Sequence, residues 1–171
     1  MHPEAKSKIA VLGGTGKEGS GLAFRWANAG HHVFIGSRSP ERAQAAAAAI
    51  NARIGANLAG GSDNLAAAQH ADIVVLTVPY AAQLATLQEV KVALAGKILI
   101  DVTVPLVPPQ VGRVQLPDGG SAVVKAQAVL ARACGWCRRS RMFRRSCWTN
   151  PVTSLIATCW CAATTARRVN R

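Results

Sequence analysis

The chain has 171 residues, half of them hydrophobic, with 20 Lys and Arg against 8 Asp and Glu. That length suits one domain with a sizeable core, and the apolar fraction excludes an intrinsically disordered chain. No apolar run approaches the ~20 residues of a membrane span, and Met1–Lys8 has no signal-peptide apolar stretch, so a soluble cytoplasmic protein without membrane partners is expected.

The charge is unevenly spread. Residues 1–130 hold 5 Arg, 6 Lys and 8 acids, a net +3; residues 131–171 hold 9 Arg and no Lys, Asp or Glu, a net +9. All five cysteines and three of the four tryptophans also fall in that last stretch. The basic balance is therefore a property of the tail. Two segments are expected: 1–130, a folded domain, and 131–171, an Arg/Cys/Trp-rich tail that is poorly ordered.

Residues 8–130 alternate strand-like and helix-like runs. Lys8–Leu12 is a short apolar run ending in glycine, and Gly14-Thr15-Gly16 leads into a helix over Glu18–Ala29, with Leu22, Trp26 and Ala29 at helical spacing. Gly30 stops that helix, and His32–Gly36 is a second strand. Ser39-Pro40-Glu41 opens an alanine-rich helix, with proline at a first-turn position. Gly60-Gly61-Ser62-Asp63 reads as a polar break before a short helix ending at His70. Asp72–Val78 is a continuous apolar strand, as parallel strands buried on both faces tend to be. Ala81–Leu94 is helical and Lys97–Val102 is a further strand. Pro105–Gly120 is a loop, and Ser121–Leu130 begins another helix. The alternation predicts an α/β fold: a Rossmann-type doubly wound parallel sheet, incomplete at its C-terminal end.

Gly14-Thr15-Gly16-Lys17-Glu18-Gly19 follows the first strand directly and opens the first helix, the context a dinucleotide-binding GxGxxG requires. Gly14 is expected to permit the tight turn, Gly16 to let backbone approach a pyrophosphate, and Gly19 to allow close helix–strand packing. The helix N-terminus offers free N–H groups to the phosphates. A glycine-rich structural turn is the alternative. The second strand ends in Ser37-Arg38, with Arg42 one helical turn on, where an NAD-binding domain carries Asp or Glu. A hydroxyl and guanidinium groups suit a ribose 2′-phosphate, which points to NADP; two solvated arginines at a helix start are the alternative. Val78-Pro79-Tyr80 and Thr103-Val104-Pro105 lie at carboxyl ends of strands and are expected to line the nicotinamide side, although the prolines also suit plain turns. Asp101 is expected to hydrogen-bond rather than catalyse. His31, His32 and His70 form no pair with ligand spacing, and no metal site is expected.

The run KIAVLGGTGKEGSGLAFRWANAGHHVFIGSRSPERA, followed by DIVVLTVPY and KILIDVTVPLVPP, resembles the NADPH-dependent F420 reductases over about residues 8–130. The resemblance implies hydride transfer between NADP and the deazaflavin coenzyme F420, passing directly between two rings, so no catalytic side chain is required. It implies that Thr15, Gly16, Lys17 and Glu18 follow the pyrophosphate and that Ser37, Arg38 and Arg42 hold the 2′-phosphate. It places Tyr80 and Leu84 near the nicotinamide half. NADP(H) and F420 are the expected partners; a homo-oligomer is left open.

The match stops at Leu130. Pairing the third base of each codon with the first two of the next forces valine at Trp136-Cys137, Met142-Phe143 and Trp160-Cys161. With permitted synonymous codons, 131–143 becomes GEGVRVVSAFQNV and 156–166 becomes DCDVLVCGDDR, both strand-like and both similar to what the family carries there. A one-base frame slip near codon 131 is therefore expected. On that reading Cys134-Gly-Trp-Cys137, drawn as a zinc or redox site, and the arginine runs, drawn as a nucleic-acid patch, are accidents of frame, and no specific nucleic-acid partner is expected. Two further possibilities stay open: a truncated NADP-binding domain without turnover, and another NADP-dependent reductase. Against a short-chain-dehydrogenase relative, Tyr80, the only tyrosine, is followed four residues later by Leu84 and not by lysine.

Overall fold

A computed structural model describes residues 6–106 and 121–131. Within them, β1 (Lys8–Leu12), β2 (His32–Gly36), β3 (Ala59–Ser62), β4 (Ile73–Leu76) and β5 (Ile98–Asp101) form one parallel sheet in the order β3-β2-β1-β4-β5. The helices are α1 (Lys17–Asn28), α2 (Pro40–Ile54), α3 (Asn64–His70), α4 (Tyr80–Val90), which runs into a 3₁₀ turn at Lys91–Leu94, and α5 (Ala122–Ala131). The expected α/β Rossmann-type architecture is what the chain adopts. The expectations for 107–120 and 132–171, including the tail's order and reading frame, lie outside the described residues.

Alternation along the strands divides the core. Ile9 and Val11 of β1, Val33 and Ile35 of β2 and Val75 of β4 face a cluster with Ala23, Ala27, Ala43, Ala47 and Ile50 of α1 and α2. Ala10, Leu12, Val74 and Leu76 face the other side, against Ala67, Ala68, Leu87, Val90 and Ala126. Burial on both faces explains the unbroken apolar runs. The helices present mainly alanine, which lets them lie close to the sheet. On α1 the buried face is Gly19, Ala23 and Ala27; Trp26 packs only at its margin and Ala29 is exposed.

The polar break expected at Gly60–Ser62 is instead β3. Its sequence AGGS has no branched residue, so the strand owes little to propensity. It is held from α2: the Asn51 amide donates to Ala59 O (2.8 Å) while its oxygen accepts from Leu58 N (3.0 Å) and Ala59 N (2.8 Å). A Cβ on Gly61 would fall on the backbone of Ala43 and Gln44, so only glycine lets α2 cross there. β4 is shorter than the predicted Asp72–Val78, although Asp72 N and Thr77 N still bond to β1 at Lys8 O and Leu12 O, both at 2.9 Å.

Candidate nucleotide site

A cleft of about 810 Å³ opens at the carboxyl ends of β1, β2, β4 and β5. Its floor is the loop between β1 and α1. Gly13 N and Gly14 N both donate to Gly36 O (3.0 and 3.1 Å), tying the loop to the end of β2. The left-handed residue of this turn is Gly13, at φ 76°, and not Gly14 as the motif suggested. Gly14 is needed for packing: a Cβ there would lie 2.8 Å from Val11 O and 2.9 Å from Ile35 Cγ2. At Gly19 a Cβ would meet Thr77 Oγ1 at 2.6 Å and Gly14 Cα at 2.7 Å, so α1 rests directly on the loop and on the chain leaving β4. Gly16 is the N-cap of α1, and no side chain caps that end. The first-turn N–H groups have no intrahelical acceptors, and Gly16, Lys17 and Glu18 at that end line the cleft.

Ser37, Arg38, Ser39 and Arg42 line the cleft beside this loop. Ser37 is buried, and its hydroxyl accepts from Ser39 N at 3.3 Å, which leaves its own proton free to donate. Ser39 caps α2 by accepting from Arg42 N (3.5 Å) and donates to Glu41 Oε2 (2.8 Å). Backbone hydrogen bonding at Glu41 and the Ser39 hydroxyl hold the Glu41 carboxyl below its usual range. Arg38 and Arg42 are exposed, and neither guanidinium donates a hydrogen bond to a described residue.

At the other end, Val78, Pro79 and Tyr80 line the cleft from the chain that leaves β4 and enters α4. Thr103 and Val104 line it from the segment after β5. Val102, Val104 and Leu106 share one face of that extended segment and are exposed, an apolar wall in which Pro105 points the other way and is buried. Thus Thr15, Gly16, Lys17, Glu18, Ser37, Arg38, Arg42, Val78, Pro79, Tyr80, Thr103 and Val104 come together on one cleft, with Gly14 and Gly19 supporting its floor. Leu84 and Pro105 do not line it. Leu84 lies about 200° of helix rotation from Ala82 and Thr86, which do, while Tyr80, on Leu84's side of α4, lines it from the first residue of the helix.

The sequence reading also missed Gly13, Ser39, Asn64, Thr77, Ala82, Thr86, Val102 and Leu106 as lining residues. Asn64 is 2% exposed at the start of α3, its Oδ1 has no described partner, and it sits where a Gly36 side chain would be. Only the pairing of β2 with β3 brings it there. Among the described residues no group of three His, Cys, Asp or Glu could hold a metal ion, and no helix is long and apolar enough to cross a membrane.

The strand order, the glycine loop against the end of β2 and the cleft across the carboxyl ends define a domain of the Rossmann type. The profile described as NADP oxidoreductase, coenzyme F420-dependent, matches residues 8–105, and the chain belongs to that family. It is 52% identical over 101 residues to the F420-dependent NADP reductase of Methanothermobacter marburgensis, a match covering 58% of this chain and 45% of that protein. It is 38% identical over 131 residues to the enzyme of the same name from Methanocaldococcus jannaschii, covering 72% and 58%. A crystal structure from an Arthrobacter species, provisionally described as an F420-dependent NADP reductase, superposes with a TM-score of 0.60 at 30% identity, covering 73% of this chain and 59% of that one. A lactate dehydrogenase from Eimeria maxima, 18% identical with a TM-score of 0.53 over 75% of this chain and 41% of its own, shares the fold alone. The chain spans about half the length of the curated relatives it matches.

Proposed function

We infer that residues 1–130 are the NADP-binding part of an oxidoreductase that transfers a hydride between NADP and coenzyme F420. The observation that carries this is the meeting, on one cleft, of a helix N-terminus at Gly16 without a side-chain cap and, at the end of β2, a hydroxyl and two guanidinium groups that donate to no described residue. The first accepts a pyrophosphate and the second a ribose 2′-phosphate. An acid in place of Ser37 or Arg38 would repel that phosphate. The residues fit the cofactor: Gly16 leaves the helix N-terminus free of a side chain, Ser37 has a proton to donate, and Arg38 and Arg42 supply positive charge. Tyr80, Val78, Pro79 and Thr103 border the far end, where the apolar wall of Val102, Val104 and Leu106 can exclude water from a planar ring. When bound, NADPH supplies the hydride that F420 accepts; the chain's own contribution is to bind, align and desolvate.

The names of the curated relatives support the F420 partner, as does the profile match. A second reading is favoured by the change in composition after Leu130 together with the partial coverage of those relatives. On that reading the recorded chain holds NADP but does not turn over, because a frame slip near codon 131 has replaced the following strand. One assay addresses both: hydride transfer from NADPH to F420 by the recorded chain and by a chain translated with the frame restored after codon 130. The F420 reading stands if the restored chain reduces F420 and falls if it binds NADPH yet transfers nothing. The frame slip stands if only the restored chain is active and falls if the recorded chain is equally so.

A further inference from the structure

Asp101 ends β5 one residue before the cleft wall begins, and its carboxylate is tied on both oxygens. Oδ1 accepts from Thr103 N (3.0 Å) and from the Thr103 hydroxyl (2.7 Å); Oδ2 accepts from the Gln83 side-chain amide. That same amide nitrogen also donates to Thr103 Oγ1 (2.8 Å). Gln83 is fully buried in α4, so the cluster ties α4 to the chain leaving β5. Two features matter. The Thr103 hydroxyl spends its proton on Asp101, so this lining residue offers the cleft no hydroxyl donor. And none of the three donors to the carboxylate is a cation: dipoles hold a full negative charge behind Thr103, at the end of the cleft away from Arg38 and Arg42.

A fixed charge beside a half-buried site acts on any ligand whose charge changes there. The nicotinamide ring is such a ligand: oxidised it carries one positive charge, and after accepting a hydride it is neutral. We propose that Asp101, held by Gln83 and Thr103, biases this cleft toward the oxidised, cationic nicotinamide ring and so makes bound NADPH a better hydride donor. Asp101 is a charge-setting residue that acts through space from behind the cleft wall and does not itself line the cleft. The inference rests on the reading of the cleft as an NADP site, with the nicotinamide at the β4–β5 end. Loss of the hydride leaves the ring positive, so the charge is matched after transfer and unmatched before it.

The test is the ratio of the NADP⁺ to the NADPH dissociation constant, measured by calorimetry on the full chain. Asp101→Asn should weaken NADP⁺ relative to NADPH by about three- to tenfold, the scale of one unit charge acting through a protein edge. Thr103→Val keeps the charge and removes the hydroxyl bonds, so the ratio should stay within twofold of wild type. Because Asp101→Asn sets two amide donors against each other and can unfold the chain, the double variant Asp101→Asn/Gln83→Glu is measured beside it. That pair restores a donor–acceptor match and returns the charge to the cluster, so it should recover the wild-type ratio. If Asp101→Asn, or Asp101→Asn/Gln83→Leu where the single variant does not fold, weakens both oxidation states equally or weakens neither, the role is structural and the proposal is overturned. If the unaltered chain binds neither form, the NADP reading itself fails and takes the proposal with it.

Discussion

At Gly19, the absence of a side chain is what allows α1 to rest on the glycine loop and on Thr77 together. Gly19→Ala should therefore destabilise the chain by about 1–3 kcal/mol, the usual range for overpacking, read as a lower urea midpoint; an unchanged midpoint would contradict the packing role. Ser37 belongs to the same scale. Its hydroxyl keeps a free proton because it accepts from Ser39 N. Ser37→Ala should weaken NADPH by roughly tenfold and leave NADH unchanged, since a hydrogen bond to a charged group is worth about 1.5–3 kcal/mol. The spacing of Gly14, Gly16 and Gly19 and the Ser37-Arg38 pair could be read directly from the sequence, because each follows a recognisable strand. Which of Gly13 and Gly14 takes the left-handed conformation could not, since either can adopt it. Asn64 was hidden for a different reason: its place depends on β3 being in the sheet.

That strand is the clearest case at the scale of elements. AGGS carries no strand signal of its own, and its place comes from Asn51 and from the close crossing of α2 over Gly61. One cue was available, since α2 followed immediately by α3 breaks the strand–helix alternation that a doubly wound sheet requires. Asn51→Ala would leave Leu58 N, Ala59 N and Ala59 O without their side-chain partner. It should cost about 2 kcal/mol in a denaturant titration, with faster amide exchange confined to residues 57–62; a loss below about 0.5 kcal/mol would show that Gly61 packing alone holds the strand. The boundaries of β1 and β2 were readable because one apolar run meets one turn. The end of β4 was not: Thr77 continues the bonding to β1 before Val78-Pro79 turns the chain away.

For the whole molecule, the informative place is the far side of β5. Ile98 N and Val102 N donate to Asp72 O and Leu76 O across the pairing with β4. Alternation then points Leu99 N and Asp101 N outward, to an edge that carries no strand among the described residues. A right-handed crossover through α5 would return the chain to that edge, and under the proposed frame slip the string GEGVRVVSAFQNV follows there. Restoring the frame should therefore slow exchange at Leu99 and Asp101 by at least tenfold relative to the recorded chain. Equal exchange in the two chains would count against the slip. Composition exposed this break where secondary-structure patterns could not, because acids and lysines vanish at one point in the chain.

The most direct test of the central claim is a parallel calorimetric titration of the 171-residue chain with NADPH and NADH, repeated on Arg38→Ala. NADPH should bind at least tenfold tighter than NADH, and Arg38→Ala should remove most of this difference while leaving NADH binding unchanged. Equal affinity for the two nucleotides, or full retention of the preference without Arg38, would contradict that claim.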